Sequence, residues 1–187
     1  FSGEMPAPVI YMNSYADAKS LCGEHDGAVC TSSNAEKVMN HYLSKGKKLF
    51  FFPDRNLGIN TAKAAGLADE EIALVARDFT IKHNSSPDRL KVFLWDGMCP
   101  VHHKFKTDDV KGFRKKYPEG TVIVHPEVRP EIASLADIQG STQKIYNLVS
   151  KSPSGSVWGI GTEHTFVKRL SGLFSDRTII PLAVNTC

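Results

Sequence analysis

Leu49-Phe50-Phe51-Phe52-Pro53-Asp54-Arg55 is an apolar run stopped by a proline and followed at once by an acid and a base. A run this short, apolar on both faces, reads as a buried parallel strand. A second stretch repeats the design: Val157-Trp158-Gly159-Ile160-Gly161-Thr162-Glu163 is again an apolar run that ends on polar residues. Working outward, Val9-Ile10-Tyr11-Met12-Asn13 aligns with Ile123-Val124-His125-Pro126-Glu127, and Thr31-Ser32-Ser33 with Gly140-Ser141-Thr142. The offsets, Tyr11 to His125, Ser32 to Ser141 and Arg55 to Glu163, are 114, 109 and 108 residues. Order and spacing agree to within about two helical turns. Two copies of one unit therefore follow each other, with a boundary near residues 96–104.

The remaining periodicity fits this frame. Strands are expected at 8–12, 28–31, 48–53, 91–95, 121–124, 156–160 and 178–182. Helical stripes lie between them: Ile145, Leu148 and Val149 after a Ser141-Thr142 cap, then Phe166, Val167, Leu170 and Phe174. Pro130-Glu131 is a good helix start. Strand–helix alternation defines an α/β fold: two repeated three-layer αβα units with short, mainly parallel sheets, spanning 1–100 and 101–187. The run Lys111 to Lys116 reads as a solvated helix face, and Gly66 to Arg89 as an insertion whose Asn84-Ser85-Ser86-Pro87 is a loop.

Composition bounds the function. The chain has 187 residues, 41% hydrophobic and 23% charged, which excludes disorder and fibres. A net charge of +3 is too balanced to argue for nucleic acid or a membrane surface. No apolar run approaches the roughly 20 residues of a membrane helix, and no signal peptide is visible. Cysteines at 22, 30, 99 and 187 follow neither a zinc ribbon nor a disulfide scaffold, so a reducing cytoplasm is the expected setting. Cys30 reads as a buried apolar thiol. A chain stopping on Cys187 directly after a strand looks cut.

Open α/β sheets bind ligands beyond the carboxyl ends of their strands. The conspicuous polar residues fall there: Tyr11 and Asn13; Thr31-Ser32-Ser33-Asn34; Asp54-Arg55-Asn56; Cys99 and His102; His125 and Glu127; Thr162-Glu163. Two helix starts, at Ser32 and at Ser141-Thr142, suit a carboxylate or phosphate. There is no GxxxxGK[ST] and no GxSxG, and Gly159-Ile160-Gly161 is only a GxG fragment. Adjacent His102-His103 are expected to be solvated.

Taken together, these motifs resemble the quinolinate synthase family. The resemblance is carried by Tyr11-Met12-Asn13-Ser14 with Lys19, Cys30-Thr31-Ser32-Ser33-Asn34-Ala35, and Pro53-Asp54-Arg55-Asn56-Leu57-Gly58. It continues through Trp95-Asp96-Gly97-Met98-Cys99-Pro100-Val101-His102, His125-Pro126-Glu127, Ala136-Asp137 with Gly140-Ser141-Thr142, and Gly161-Thr162-Glu163, to Cys187. The resemblance implies three α/β units in pseudo-threefold array, of which this chain would hold the second and third. It implies a transferase that condenses iminoaspartate with dihydroxyacetone phosphate to quinolinate in de novo NAD biosynthesis. A [4Fe-4S] cluster would serve as Lewis acid, with Cys99 and Cys187 among its ligands.

By the same resemblance, Tyr11, Asn13, Ser32, His125, Glu127, Ser141 and Thr142 would bind substrate, and Glu127, His125 and Tyr11 would be catalytic. Glu163 would be a further strand-end acid. L-aspartate oxidase or aspartate dehydrogenase would supply the iminoaspartate. The family's first unit, with its own cluster cysteine, has no counterpart among these residues, so the isolated chain is expected to be inactive. The alternative is a non-catalytic α/β module that binds a dicarboxylate or phosphate ligand.

Overall fold

The computed structural model describes residues 5–186; Cys187, expected as a cluster ligand, lies outside the described residues. The chain divides into two compact units, Phe1–Met98 and Cys99–Cys187. Both are α/β units with mainly parallel sheets.

The first unit runs β1 (Ala7–Tyr11), α1 (Ala16–Glu24), β2 (Ala28–Cys30), α2 (Ala35–Leu43), β3 (Leu49–Phe52), α3 (Arg55–Ala64), β4 (Ile72–Val75), β5 (Ile81–Lys82) and β6 (Val92–Trp95). Its strands lie in the order β2-β1-β3-β6-β4-β5. All pairs are parallel except β4–β5. Alternation along β1 and β3 sends Ala7, Val9, Tyr11, Leu49 and Phe51 to one face, where α2 and α3 add Met39, Tyr42, Leu57 and Ala62. Asp54 starts α3: its carboxylate accepts from Leu57 N–H at 2.7 Å, satisfying a donor that the helix leaves open.

The second unit runs α4 (Pro100–His103), α5 (Thr107–Lys116), β7 (Thr121–Val124), α6 (Pro130–Ala133), β8 (Ile138–Gln139), α7 (Thr142–Lys151), β9 (Val157–Gly161), α8 (His164–Leu173) and β10 (Thr178–Pro181). Its order is β10-β9-β7-β8, parallel throughout. Val122 and Val124 face α5 and α6 through Val110, Phe113 and Ile132. Ile123, Trp158 and Ile160 face α7 and α8 through Ile145, Val149, Val167 and Leu170. Period-two alternation on a sheet covered on both sides is what produces the three layers.

The repeat is visible in the topology. β2-β1-β3-β6 and β8-β7-β9-β10 are the same strand order, with a helix after each of the first three strands in sequence. The stretch 66–89, expected as an insertion, carries two strands of the sheet. Where the second unit passes directly from α8 to β10, the first inserts β4 and β5, and β4 forms a full parallel ladder with β6. Ile72 and Leu74 pack on the α2–α3 core, while Ala73 and Val75 pack with Phe93 on the other face. Residues 84–87 are a loop, as expected. Gly23 lies inside α1, and residues 25–27 connect that helix to β2. Among the described residues no helix is long and apolar enough to cross a membrane.

Two glycines test the packing. A Cβ at Gly159 would lie 2.9 Å from ring atoms of Phe113, whereas one at Gly112 meets nothing within 4 Å. We expect Gly159→Ala to destabilise by about 1–3 kcal/mol through overpacking. Gly112→Ala, inside α5, should stabilise by roughly 0.5–1 kcal/mol. Urea unfolding of both variants checks the pair; a reversed sign would contradict the packing of α5 on β9.

Candidate active site at the strand ends of the second unit

In each unit the chain leaves the central strand to one side and then returns on the other, so a crevice opens beyond the ends of β1 and β3, and of β7 and β9. In the second unit that crevice is occupied by polar side chains. His125 follows β7 directly, and its N–H donates to Gly161 O at 2.9 Å, tying it to the end of β9. The turn His125–Val128, closed by Val128 N–H to His125 O at 3.1 Å, brings Glu127 back over the strand end. Thr162 follows β9 and is 1% exposed. Cys99 is the cap residue of α4, with Pro100 at its first position, and His102 stands one turn on.

These side chains meet. His102 Nδ1 is 3.3 Å from Cys99 Sγ and 3.1 Å from Glu127 Oε2. His102 Nε2 hydrogen-bonds Thr162 Oγ1 at 3.1 Å. His125 Nδ1 lies 3.1 Å from the same Glu127 oxygen. The two imidazole rings stack with centroids 4.5 Å apart and 21° between planes. Glu127 is thus a buried carboxylate, 5% exposed, between two imidazoles.

Charge follows from this geometry. Burial works against the His102 imidazolium, but hydrogen bonds to Cys99 and Glu127 outweigh it and raise its pKa to about 9. Burial likewise opposes ionised Glu127, but the two histidine hydrogen bonds win and lower it to about 2. His125 moves the other way: burial, joined by the neighbouring His102 charge, lowers its pKa. At neutral pH the group is therefore a carboxylate, an imidazolium and a neutral imidazole. One acid and one base lie side by side.

The other expected site residues are placed as follows. Ser141 is buried and caps α7, its Oγ accepting from Lys144 N–H at 3.3 Å; Thr142 is the first, exposed residue of that helix. Glu163 caps α8, with both carboxylate oxygens accepting, from Thr165 N–H and Phe166 N–H at 2.9 Å each. In the first unit, Tyr11 is buried at the end of β1 and its hydroxyl accepts from Asn13 Nδ2 at 3.1 Å. Ser32 is half-buried in the turn before α2, which begins at Ala35, not at Ser32. Arg55 pairs with Asp96 across the ends of β3 and β6.

The expectation that His102-His103 are solvated is corrected. They form the end of α4, and His102 is 7% exposed at the centre of the cluster. Thr162 was noted only for its place after β9; its hydroxyl orients the His102 ring. The available signal was the Cys99-x-x-His102 spacing behind a proline helix start, which puts both side chains on one side of a turn. Cys30 is the buried thiol expected, 1% exposed, with burial raising its pKa to about 12. Cys22 is also buried, its Sγ 3.3 Å from the carbonyls of Pro8 and Ala28. Among the described residues Cys99 is the half-exposed thiol.

The fold and the side-chain cluster define a two-unit α/β protein with an acid–base pair beside a half-exposed thiol at one strand-end crevice. The family model described as Quinolinate synthetase A protein matches residues 2–187, and the chain belongs to that family. It is 41% identical over 180 residues to the quinolinate synthase of Haloarcula marismortui, covering 96% of this chain and 48% of that protein. Against the quinolinate synthase of Corynebacterium glutamicum it is 41% identical over 182 residues, covering 96% and 46%. For that of Bacillus subtilis the values are 38% over 187 residues, 99% and 50%. The chain spans about half the length of the curated relatives it matches.

The pair has a pH signature. His102 binds its proton more tightly folded than unfolded, so its contribution is complete below its ordinary value of 6.5 and is lost as pH rises through about 9. Glu127 contributes fully above 4.5 and loses this as pH falls through about 2. The shift corresponds to about 3 kcal/mol for the pair. In the metal-free chain, the gap in unfolding free energy between parent and His102→Asn should therefore shrink by about that amount from pH 6 to pH 10. A gap independent of pH would contradict the pairing.

Proposed function

We propose that this chain supplies the second and third α/β units of a three-unit, pseudo-threefold quinolinate synthase. The reaction is the condensation of iminoaspartate with dihydroxyacetone phosphate to quinolinate, with release of water and phosphate, a transferase step in NAD biosynthesis. The observation that carries this reading is the Cys99–His102–Glu127–His125 cluster, with its histidines and carboxylate buried, at the strand ends of a chain that belongs to the family.

A [4Fe-4S] cluster fits the donor set in one respect that the structure tests. Cys22 is buried against two backbone carbonyls and Cys30 in the apolar core, while Cys99 is half-exposed beside polar partners. Cys99 and Cys187 would be two ligands, with the third on the remaining unit. When bound, such a cluster supplies a Lewis-acidic iron for substrate oxygen or nitrogen. The chain's own residues supply the proton chemistry. Ionised Glu127 is placed to accept a substrate proton, and the His102 imidazolium to return one to a departing oxygen. His125 holds the Glu127 carboxylate, and its stacked ring walls the pocket. Tyr11, Asn13 and Ser32 in one unit, and Ser141 with Thr142 at the α7 start in the other, offer donors for the carboxylates and phosphate of the substrates. L-aspartate oxidase or aspartate dehydrogenase would supply the unstable iminoaspartate, in the cytoplasm.

The competing reading is a module that binds a dicarboxylate or phosphate without a cluster. Anaerobic reconstitution with iron and sulfide separates the two. In the polypeptide that carries all three units, we expect the visible absorption of a [4Fe-4S] cluster and quinolinate production. Cys99→Ser should abolish both. Glu127→Gln should keep the absorption and lower kcat by roughly 100-fold or more. Quinolinate formation that survives Cys99→Ser with an intact cluster would overturn the assignment. The 187-residue chain alone should make no quinolinate.

A further inference from the structure

The two units bury their matching inner strands differently. β9 is buried on both faces from Trp158 to Gly161. In β3 only Leu49 and Phe51, which face α2 and α3, are buried; Phe50 and Phe52 on the opposite face are half-buried. The ladders show what should cover them. Val9 lies opposite Phe51, and Ile123 opposite Ile160. With Val9 matched to Ile123, Phe50 matches Gly159, one residue from where the sequence alignment sets that motif. Through the next ladder, Trp95 matches Leu182.

In the second unit α5 covers this face. A Cβ at Gly159 would lie 2.9 Å from ring atoms of Phe113, and Val110 of α5 packs with Ile132 and Ala133 of α6 on Val122 and Val124. The first unit has a counterpart of α6, since α1 follows β1 as α6 follows β7, but α1 buries Cys22 alone. Among the described residues it has no counterpart of α5. The cluster on this face joins Ala73, Val75, Leu90 and Phe93 to Phe50 and Trp95, and takes no residue from a helix. The Phe50 and Phe52 rings are 5.1 Å apart, and Phe79, 76% exposed, borders the patch with its ring 6.0 Å from Trp95.

We propose that the residues immediately before Phe1, in the polypeptide that carries all three units, form an amphipathic helix that lies on Phe50, Phe52 and Trp95 as α5 lies on Gly159. Chain order fixes the occupant. Phe113 stands eight residues before Thr121, the counterpart of Ala7, so the residue that matches Phe113 falls just upstream of Phe1. Packing fixes a residue type. In the second unit the helix supplies the ring and the strand the glycine; in the first the strand supplies the ring. The upstream helix therefore places Gly, Ala or Ser against Phe50, because two large side chains there would overpack the layer. Its flanking inward residues are apolar, to cover Phe52 and Trp95. The inference rests on the chain being part of a longer polypeptide and on nothing about the reaction.

Hydroxyl-radical footprinting read by mass spectrometry reports side chains one by one and needs no variant. The comparison is between the 187-residue chain, diluted until sedimentation shows a monomer, and the polypeptide that carries all three units. Phe50, Phe52 and Trp95 should be oxidised several-fold less in the longer polypeptide, with Trp158, already buried, unchanged. Cysteines placed one at a time before Phe1, in a Phe50→Cys background of the longer polypeptide, locate the cover. Disulfides to position 50 should form at every third or fourth residue, most readily at the small one. Equal oxidation in the two polypeptides would overturn the proposal. So would protection without these cross-links, since another part of the chain is then the cover. A dimer of the longer polypeptide that is lost in Phe50→Asp would also overturn it, because a second copy then occupies the face. Cys99→Ser should leave the footprint unchanged, so this inference and the catalytic reading fail separately.

Discussion

Glu127 carries a negative charge in a place almost closed to water, and the second unit is arranged around that constraint. An ionised carboxylate at 5% exposure survives only if it is paired and hydrogen-bonded, because the desolvation penalty is several kcal/mol. His102 and His125, each 3.1 Å away, meet that need, one from the helix before the strand and one from the strand end itself. The pairing also dictates the state of both rings. One is pushed to imidazolium and the other kept neutral, since two adjacent positive rings stacked at 4.5 Å would repel. The chemistry available at the site is a consequence of how one buried charge is satisfied.

The place of that charge is set by topology. A central strand with its successors on opposite sides leaves a gap beyond its carboxyl end, and both units share this strand order. The second unit fills the gap with His125, Glu127 and Thr162, and α4 adds Cys99 and His102. The first places Tyr11 at the corresponding strand end, with Asp54 and Arg55 after its neighbour. The repeat supplies the same kind of edge twice, and the side chains there give each edge its own character.

Much of this was legible in the sequence. The runs Leu49–Phe52 and Val157–Gly161 announce buried strands because parallel strands need apolar side chains on both faces. The repeat was legible because polar residues follow corresponding strands at nearly constant offsets. Ile72–Val75 was not: four residues between the acids 69–71 and Arg77-Asp78 carry too little periodicity, and only the β6 ladder makes them a strand. β8 is two residues long and equally silent. His102 was misread for a related reason. Adjacent histidines say nothing of the partners the fold brings to them, and Thr162 lies 60 residues away. Glu163 attracted notice as an acid, although its carboxylate is consumed in capping α8.

The chemistry of the site rests on the protonation of His102. Nuclear magnetic resonance of histidine-labelled, metal-free chain, followed from pH 5 to 10, reads it directly, with His102→Asn providing the assignment. The hydrogen bonds to Cys99 and Glu127 require a His102 imidazole that titrates near pH 9, with His125 below the ordinary histidine value. A His102 resonance that titrates near 6.5, as an exposed histidine does, would contradict it.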